Sequence, residues 1–580
     1  MSNRAAFILF PLLLLTFGLS AQDLENIKNQ KPFQISGNIG GSYIATITND
    51  SNRIPMPSFW NANVMLNVNI YGVSIPLSAV LTNGNVSFYN SFSQFGLSPK
   101  YKWITLHGGY RQYSYSPFSV SGQTFFGGGF DLTPKHLRLG FFMGRLRKAT
   151  MLDTSLYYQT IPGSYPLNVT SINGSNYYSQ AGGFSRWGWG AKIGFGKESN
   201  FVDFILFKAS DRTKSISDTF SLKRLTPERN VVFGINSHQK IGKKITFGCD
   251  AAVSAYTYNS YADSIPFDDD LPAVNILQKL IPFNISTQLQ WAGNVSIGYT
   301  LKNFSLQTKY KHIEPYYKSM GIVSTYSDVE LLSFQPSWSM FKKKLKFTNI
   351  FQLQHDNLNH YKLLTSNRTM LNSAVSVNFS NKWGFDVSYN NYGTKQTKVN
   401  SLVSDSICVS QNSNTISFVP RYIFTTTKYT DVVSVVTSYT NMKSGGLINK
   451  NSGDLKNLYV TLNNTIALSK SGWSITSGLN FNSAKTTMNS LKSYGIIAGA
   501  SKSIIKNTLA LSNTNTLLWN YMDKKANGNT ISIDFTASYI LFKKHSLGLG
   551  YNYIYSPANG IYNATDFSQS RIMVSYQYIF

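Results

Sequence analysis

The sequence predicts an all-β chain that forms one large antiparallel transmembrane β-barrel. Three observations support this prediction: strand-length segments of alternating apolar and polar residues, connections that are short at one end and long at the other, and a composition rich in aromatic and small polar residues. Following the turns gives about 26 strands, within a range of about 20 to 26, between Phe33 and Phe580. An even number returns both ends of the barrel to the same side of the membrane.

The first 21 residues have the layout of a cleavable secretory signal, with an early cation at Arg4, an apolar run over residues 5–17 and small residues before a cleavage site after Ala21. The apolar run is shorter than the about 20 residues that a membrane-spanning helix requires. The remaining chain is expected to comprise a short periplasmic segment, residues 22–32, and the barrel, residues 33–580. About ten residues are too few for a plug domain in front of the first strand, and this argues against the hypothesis of an energy-coupled receptor.

The composition favours strands over helices as the membrane-crossing elements. Aromatic residues make up 14% of the chain, and charged residues also make up 14%, against about 25% in ordinary soluble domains. After the signal, no apolar run reaches the about 18 residues expected of a transmembrane helix. The 2 cysteines and 7 histidines form no metal-binding spacing. We therefore expect no metal and no cofactor.

The alternation is clearest at the end of the chain. One apolar face of the last segment consists of Ile572, Val574, Tyr576, Tyr578 and Phe580. A chain that stops on Phe after such alternation resembles the C-terminal signal by which the barrel-insertion machinery recognises outer-membrane barrels. A soluble sandwich would alternate in the same way, so alternation alone does not separate the two folds.

The lengths of the connections between strands distinguish a transmembrane barrel from a soluble sandwich. Short and often basic turns are expected at residues 242–244, 342–343 and 543–544, whereas longer polar loops are expected at residues 150–184 and 391–413. Short turns at one end and long loops at the other are typical of bacterial outer-membrane barrels, with the short turns in the periplasm and the long loops outside the cell.

The segment FGLSPKYKWITLHGGYRQYSYSPFSVSGQTFFGGGFDLTPKHLRLGFFMGRL, residues 95–146, resembles a poorly characterised group of porin-like outer-membrane barrels from Bacteroidota, and SWSMFKKKLKF, residues 337–347, resembles them as well. The resemblance covers about a quarter of the chain. It implies an outer-membrane location, but no activity and no catalytic residues. Within the first segment, residues 127–129 are three glycines that we interpret as a strand bend or bulge, because no helix follows that could cradle a phosphate.

The formal charge of +27 is spread over turns and strands without a nucleic-acid-binding motif. Lys309 and Lys311 share the polar face of one predicted strand, and Arg138 has a similar position in another. We expect these cations to line the lumen and to favour anionic solutes. Alternatively, they meet inward carboxylates such as Asp386 and Asp534, or phosphate groups of the outer leaflet.

The favoured function is a passive or weakly selective channel through the cell outer membrane, and cations in its lumen would make it anion-preferring. A barrel of this size would leak unless a loop narrowed it, and residues 150–184 are the expected constriction. The alternative is a structural or assembly subunit of a secretion or surface-attachment machine, with an envelope protein of unknown identity as its partner. A membrane-embedded enzyme would require a Ser–His or paired-carboxylate cluster at the rim, and we expect no enzymatic activity. The other expected partners are outer-membrane lipid and lipopolysaccharide.

Overall fold

A computed structural model gives the fold of the chain. It describes residues 32–50, 57–70, 73–82, 94–150, 169–172, 175–178, 183–216, 225–264, 280–323, 326–401, 403–404, 407–445, 453–505, 508–558 and 566–580. The expected secretory signal therefore lies outside the described residues. Among the described residues no helix is long and apolar enough to cross a membrane.

The described secondary structure is almost entirely β. The strands are Phe33–Thr48 (β1), Ser58–Ile70 (β2), Val73–Thr82 (β3), Gln94–Leu97 (β4), Lys100–Tyr101 (β5), Ile104–Tyr113 (β6), Gln123–Leu132 (β7), Leu137–Arg147 (β8), Val169–Ile172 (β9), Ser175–Tyr178 (β10), Ser185–Lys197 (β11), Asn200–Arg212 (β12), Arg229–Ile241 (β13), Ile245–Thr257 (β14), Thr287–Thr300 (β15), Phe304–Ile313 (β16), Val329–Met340 (β17), Leu345–His355 (β18), Leu364–Asn378 (β19), Trp383–Lys398 (β20), Ser410–Thr425 (β21), Tyr429–Gly445 (β22), Leu455–Leu468 (β23), Trp473–Thr486 (β24), Ser490–Ile504 (β25), Leu509–Met522 (β26), Lys525–Leu541 (β27), His545–Ser556 (β28) and Phe567–Ile579 (β29). One 3₁₀ helix, Thr213–Ser215, follows β12.

The strands form one antiparallel sheet in which neighbours in the chain pair with each other. The sheet has 27 strands, and β9 and β10 form a separate hairpin. β1 pairs with β2 on one side and with β29 on the other, so the described pairings lead around the sheet and return to β1. Because β4 and β5 both lie between β3 and β6, the 27 strands occupy 26 positions, as the sequence predicts.

The connections differ in length at the two ends of the described strands, as expected. At the end where β1 begins and β29 stops, β13 ends at Ile241 and β14 begins at Ile245, and the predicted turns at residues 342–343 and 543–544 are equally tight. The opposite end has longer connections, but with two exceptions at residues 487–489 and 523–524. The predicted loop 391–413 is shorter than expected, because β20 and β21 extend into it and leave residues 399–409.

The two faces of the sheet are distinguished by what covers them. Successive side chains of a strand point to opposite faces of the sheet. On β14, Asp250 binds residues 114–122 and Ser254 binds residues 314–322, and both of these segments lie within the ring of strands. Even-numbered residues of β14 therefore point inward. The strand registers extend this assignment to the other strands, and the outward positions carry many exposed large apolar side chains, such as Trp291.

The three glycines at residues 127–129 do not form the expected bend or bulge. They lie inside β7, and its register with β6 and β8 is continuous across them. A Cβ atom at Gly127 would lie 2.1 Å from the carbonyl oxygen of Met143, and one at Gly129 would lie 2.6 Å from that of Phe141. Close approach of the neighbouring backbone, rather than a bend, explains why these positions lack side chains.

Candidate channel interior

Two connections fold into the barrel and bind each other. We call residues 114–122, between β6 and β7, and residues 314–322, between β16 and β17, the two inner segments. The Tyr317 hydroxyl donates a hydrogen bond to the carbonyl of Phe118 at 2.6 Å, and the Ser319 hydroxyl donates one to the carbonyl of Ser119 at 2.7 Å. Burial raises the pKa of Tyr317 well above its usual value, so its hydroxyl stays protonated and remains a donor.

The inner segments are also attached to the barrel wall. The amide of Asn236 on β13 donates to the carbonyl of Tyr115 at 3.1 Å, and Ser116 donates to the carboxylate of Asp250 at 2.9 Å. The backbone N–H of Met320 donates to the Asn230 side chain at 3.0 Å. These bonds reach the two neighbouring strands β13 and β14, and they hold both segments against one side of the interior.

The apolar part of the contact between the inner segments and the barrel wall consists of aromatic rings, which pack against glycines of the wall. Phe142 on β8 is fully buried and stacks on Tyr113, with ring centroids 4.8 Å apart. A Cβ atom at Gly190 would lie 2.3 Å from the Phe142 ring, and one at Gly140 would lie 2.7 Å from the hydroxyl of Tyr115. The glycines therefore make room for the rings, and this side of the barrel is filled.

The other side of the interior remains accessible. Over β18–β29 and in β1 and β2, the only buried residues among those described in strands are Thr461 and three glycines, Gly384, Gly495 and Gly550. The inward positions here are mostly small and polar, and they include Asn463, Thr465, Thr476, Asn480 and Asn482. A 26-stranded ring encloses more space than its own side chains can fill, and the described connections fill one side of it.

The predicted lumen residues lie on the inner face by register, but their surroundings differ. Lys309 and Lys311 alternate on β16 opposite Ser296 and Asn294 of β15. Neither lysine forms an ion pair with a carboxylate of the described residues. Arg138, in contrast, makes a two-pronged ion pair with Asp203, at 2.8 and 2.9 Å. This buried partner holds Arg138 in the wall.

The two predicted carboxylates do not bind the predicted cations. Asp386 forms an ion pair with Arg421 of the neighbouring strand β21. Asp534 accepts hydrogen bonds from Asn552 at 2.6 Å and from Ser532 at 3.4 Å. The first of these carboxylates is therefore neutralised within the wall, and it does not offset the charge of the lysines on β16.

The cations on β16 belong to a wider positive region. Along one register row, Lys311 pairs with Leu331, which pairs with Gln354, which in turn pairs with Arg368. Arg368 also lacks an ion pair with any described carboxylate. This row crosses from the filled side of the interior toward the accessible side.

The long-connection end contains a cavity of about 1080 Å³ above the inner segments. Two arginines of the wall, Arg147 and Arg186, and Lys318 of an inner segment line it. Arg186 binds Asp211 at 2.7 and 3.0 Å and Glu228 at 2.5 Å. No local sequence pattern points to these groups, because they are widely separated along the chain.

Ser98, His107 and Asp131 form a chain of hydrogen bonds where the wall is interrupted between β4 and β5. The Ser98 hydroxyl lies 2.7 Å from Nδ1 of His107, and Nε2 of His107 lies 3.1 Å from the Asp131 carboxylate. A carboxylate can only accept, so Nε2 donates and Nδ1 accepts from Ser98. The Tyr113 ring packs edge-on against the imidazole at 5.1 Å. This chain of hydrogen bonds joins the interrupted strand to β6 and β7.

Aromatic residues on the outer face lie near the short turns. Trp383 and Tyr422 are cross-strand partners with ring centroids 4.3 Å apart, and Lys502 lies over the Trp473 ring at 5.0 Å. Rings and cations at one level of a barrel wall are suited to the boundary between hydrocarbon and lipid headgroups.

Among the described residues, no group of three or more His, Cys, Asp or Glu side chains could hold a metal ion. Cys249 and Cys408 are both free. The predicted constriction, residues 150–184, lies largely outside the described residues; it includes the hairpin of β9 and β10. Among the described connections, the two inner segments lie inside the barrel.

No protein-family model and no curated protein matches the chain. Among solved structures, the translocation pore of the P pilus usher PapC is similar at 11% identity, over 94% of this chain and 99% of that chain, with a TM-score of 0.35. OccAB3 of Acinetobacter baumannii is similar at 10% identity, over 65% and 98%, with a TM-score of 0.29. OprD of Pseudomonas aeruginosa is similar at 10% identity, over 61% and 90%, with a TM-score of 0.29. Because these scores are low, no proposal for this chain rests on them.

Proposed function

We propose that this protein is an outer-membrane barrel that acts as a passive or weakly selective channel with a preference for anions. The observation that carries the proposal is the one-sided filling of the interior. The two inner segments cover the inner face on one side, while the inward positions of β18–β29 remain polar and accessible. Such a passage admits small hydrated solutes and excludes large ones.

The outer face supports a membrane location. Large apolar side chains occupy outward positions on many strands, among them Ile39, Leu479 and Val574, and they are exposed in the isolated chain. Their exposure to water would be unfavourable by about 25 cal/mol for each Å² of apolar surface. Lipid removes this cost, and a closed ring leaves no strand edge unpaired within it.

The arrangement of inner charges supports the preference for anions. Arg138 and Arg421 are each neutralised by a carboxylate, whereas Lys309, Lys311 and Arg368 form no ion pair among the described residues. Cations that form no ion pair among the described residues raise the local concentration of anions in the passage. Their effect is expected to weaken at high salt, because the screening length falls to about 3 Å at 1 M.

The proposal is tested by single-channel recording from the refolded mature chain in planar bilayers, with a salt gradient to measure the anion-to-cation permeability ratio. We expect anion-preferring steps in the native protein and a lower ratio in the double variant Lys309→Glu, Lys311→Glu. Lys502→Glu is the control, because this lysine lies on the outer face and the same type of substitution there should leave the ratio unaltered. A folded barrel that conducts no current would refute the channel and favour an assembly subunit.

A further inference from the structure

The geometry points to a binding site for small anionic sugars in the cavity above the inner segments, a site that deepens the proposed channel function and rests on it. The cavity has a volume of about 1080 Å³, at the upper end of the range of ordinary ligand sites. We propose that its cations bind one carboxylate or phosphate group, while neighbouring polar groups bind hydroxyls of the same solute.

The first argument is the arrangement of charge. Three cations line or border the cavity, and two carboxylates neutralise part of their charge: Asp211 binds Arg147 and Arg186, and Glu228 binds Arg186 and Lys318. Among the described residues, one positive charge therefore remains in excess. An anionic solute would complete the neutralisation of this group.

The second argument is accessibility, which differs between the two signs of charge. The side chains of the carboxylates are 1% exposed in Asp211 and 21% in Glu228, whereas those of Arg147 and Lys318 are 27% and 46% exposed. Arg186 is 11% exposed and is held by both carboxylates, so Arg147 and Lys318 are the most accessible charges of the group. Arginines held this way lose little freedom when an oxyanion binds.

The position of Arg147 is set by an irregularity in the wall. The register of β8 with β11 shifts between Arg186 and Trp187, and this shift places Arg147 opposite Arg186. Two like charges side by side are unfavourable unless an anion lies between them. Asp211 supplies one such anion from behind, at 3.3 Å from Arg147 and 2.7 Å from Arg186.

The third argument concerns the uncharged part of the lining. The side-chain amide of Gln112 donates to the carbonyl of Gly122 at 2.9 Å, and that of Gln123 donates to the carbonyl of Thr124 at 2.9 Å. One amide binds an inner segment and the other binds the wall through N–H groups, so the amide oxygens can accept hydrogen bonds from solute hydroxyls. Tyr258 adds an aromatic surface on which a sugar ring can lie. Charge and hydroxyl recognition together select a sugar that carries an oxyanion.

The test is isothermal titration calorimetry on the full mature protein in detergent, with glucuronate, glucose 6-phosphate and glucose as probes. At least one anionic sugar should bind about 10-fold or more tightly than glucose, and the comparison between the two anions shows whether carboxylate or phosphate is preferred. Lys318→Gln and Arg147→Gln should each weaken the binding of that sugar about 10-fold. Lys318→Arg, which keeps the charge, should restore most of it.

Lys346→Gln is the control, because this inner-face cation lies near the short-turn end of β18, away from the cavity. Equal affinity for glucose, no binding of either anion, or unchanged affinity in both cavity variants would overturn the site. These binding results are independent of the single-channel recordings. If the protein conducts ions but does not bind anionic sugars, the channel proposal stands and the proposed binding site is refuted. If it binds anionic sugars but carries no current, only the channel proposal is refuted.

Discussion

Release of the two inner segments from each other should widen the passage. The double variant Tyr317→Phe, Ser319→Ala removes the two hydroxyls that bind the carbonyls of Phe118 and Ser119. Each deletion leaves a buried carbonyl without a partner, which costs about 1 to 3 kcal/mol. The two costs sum to about 2 to 6 kcal/mol, and because neighbouring sites are not strictly additive we use the lower end of this range.

A loss of about 2 kcal/mol shifts the equilibrium toward released segments about thirtyfold. We expect larger or noisier single-channel steps, together with faster tryptic cleavage at Lys318, which lies within the second inner segment. Tyr326→Phe is the matched control, since Tyr326 lies in the same connection and is 82% exposed. Unchanged conductance and unchanged cleavage in a variant that still shows heat-modifiable migration would refute the idea that these segments narrow the channel.

Three further predictions concern packing, pH and the Ser98 hydrogen bonds. Gly190→Ala places a methyl carbon 2.3 Å from a buried phenyl ring and should lower the unfolding free energy, measured by denaturant titration, by about 1 to 3 kcal/mol. The control is Gly128→Ala, where the nearest heavy atom lies 3.6 Å away, and it should change the unfolding free energy by less than about 0.5 kcal/mol. Burial acts to raise the pKa of Asp328, but hydrogen bonds from Lys362 and from backbone amides lower this pKa below 3.8 overall. The resulting stability is present above pH 3.8 and lost as the pH falls below it, so Asp328→Asn should flatten the acid limb of thermal unfolding curves. A fluorophosphonate probe should leave Ser98 unmodified; labelling that disappears in Ser98→Ala would instead demonstrate an activated nucleophile.

The sequence determined the fold class because each strand residue meets one of two environments. Apolar residues at every second position, as in Ile572, Val574 and Tyr576, require one face on lipid and the other on the interior. The number of strand positions follows from the tight turns, which are local signals. The inward placement of Lys309 and Lys311 also follows from alternation alone.

Only the tertiary structure decided what fills the interior. No local pattern distinguishes residues 114–122 and 314–322, which fold inward, from other polar connections, because their partners lie on distant strands. The same reason applies to ion pairs: Arg138 binds Asp203, 65 residues away, rather than either of the predicted carboxylates. Alternation specifies the face on which a charge lies, but the closure of the ring and the path of each connection decide which opposite charge comes within reach.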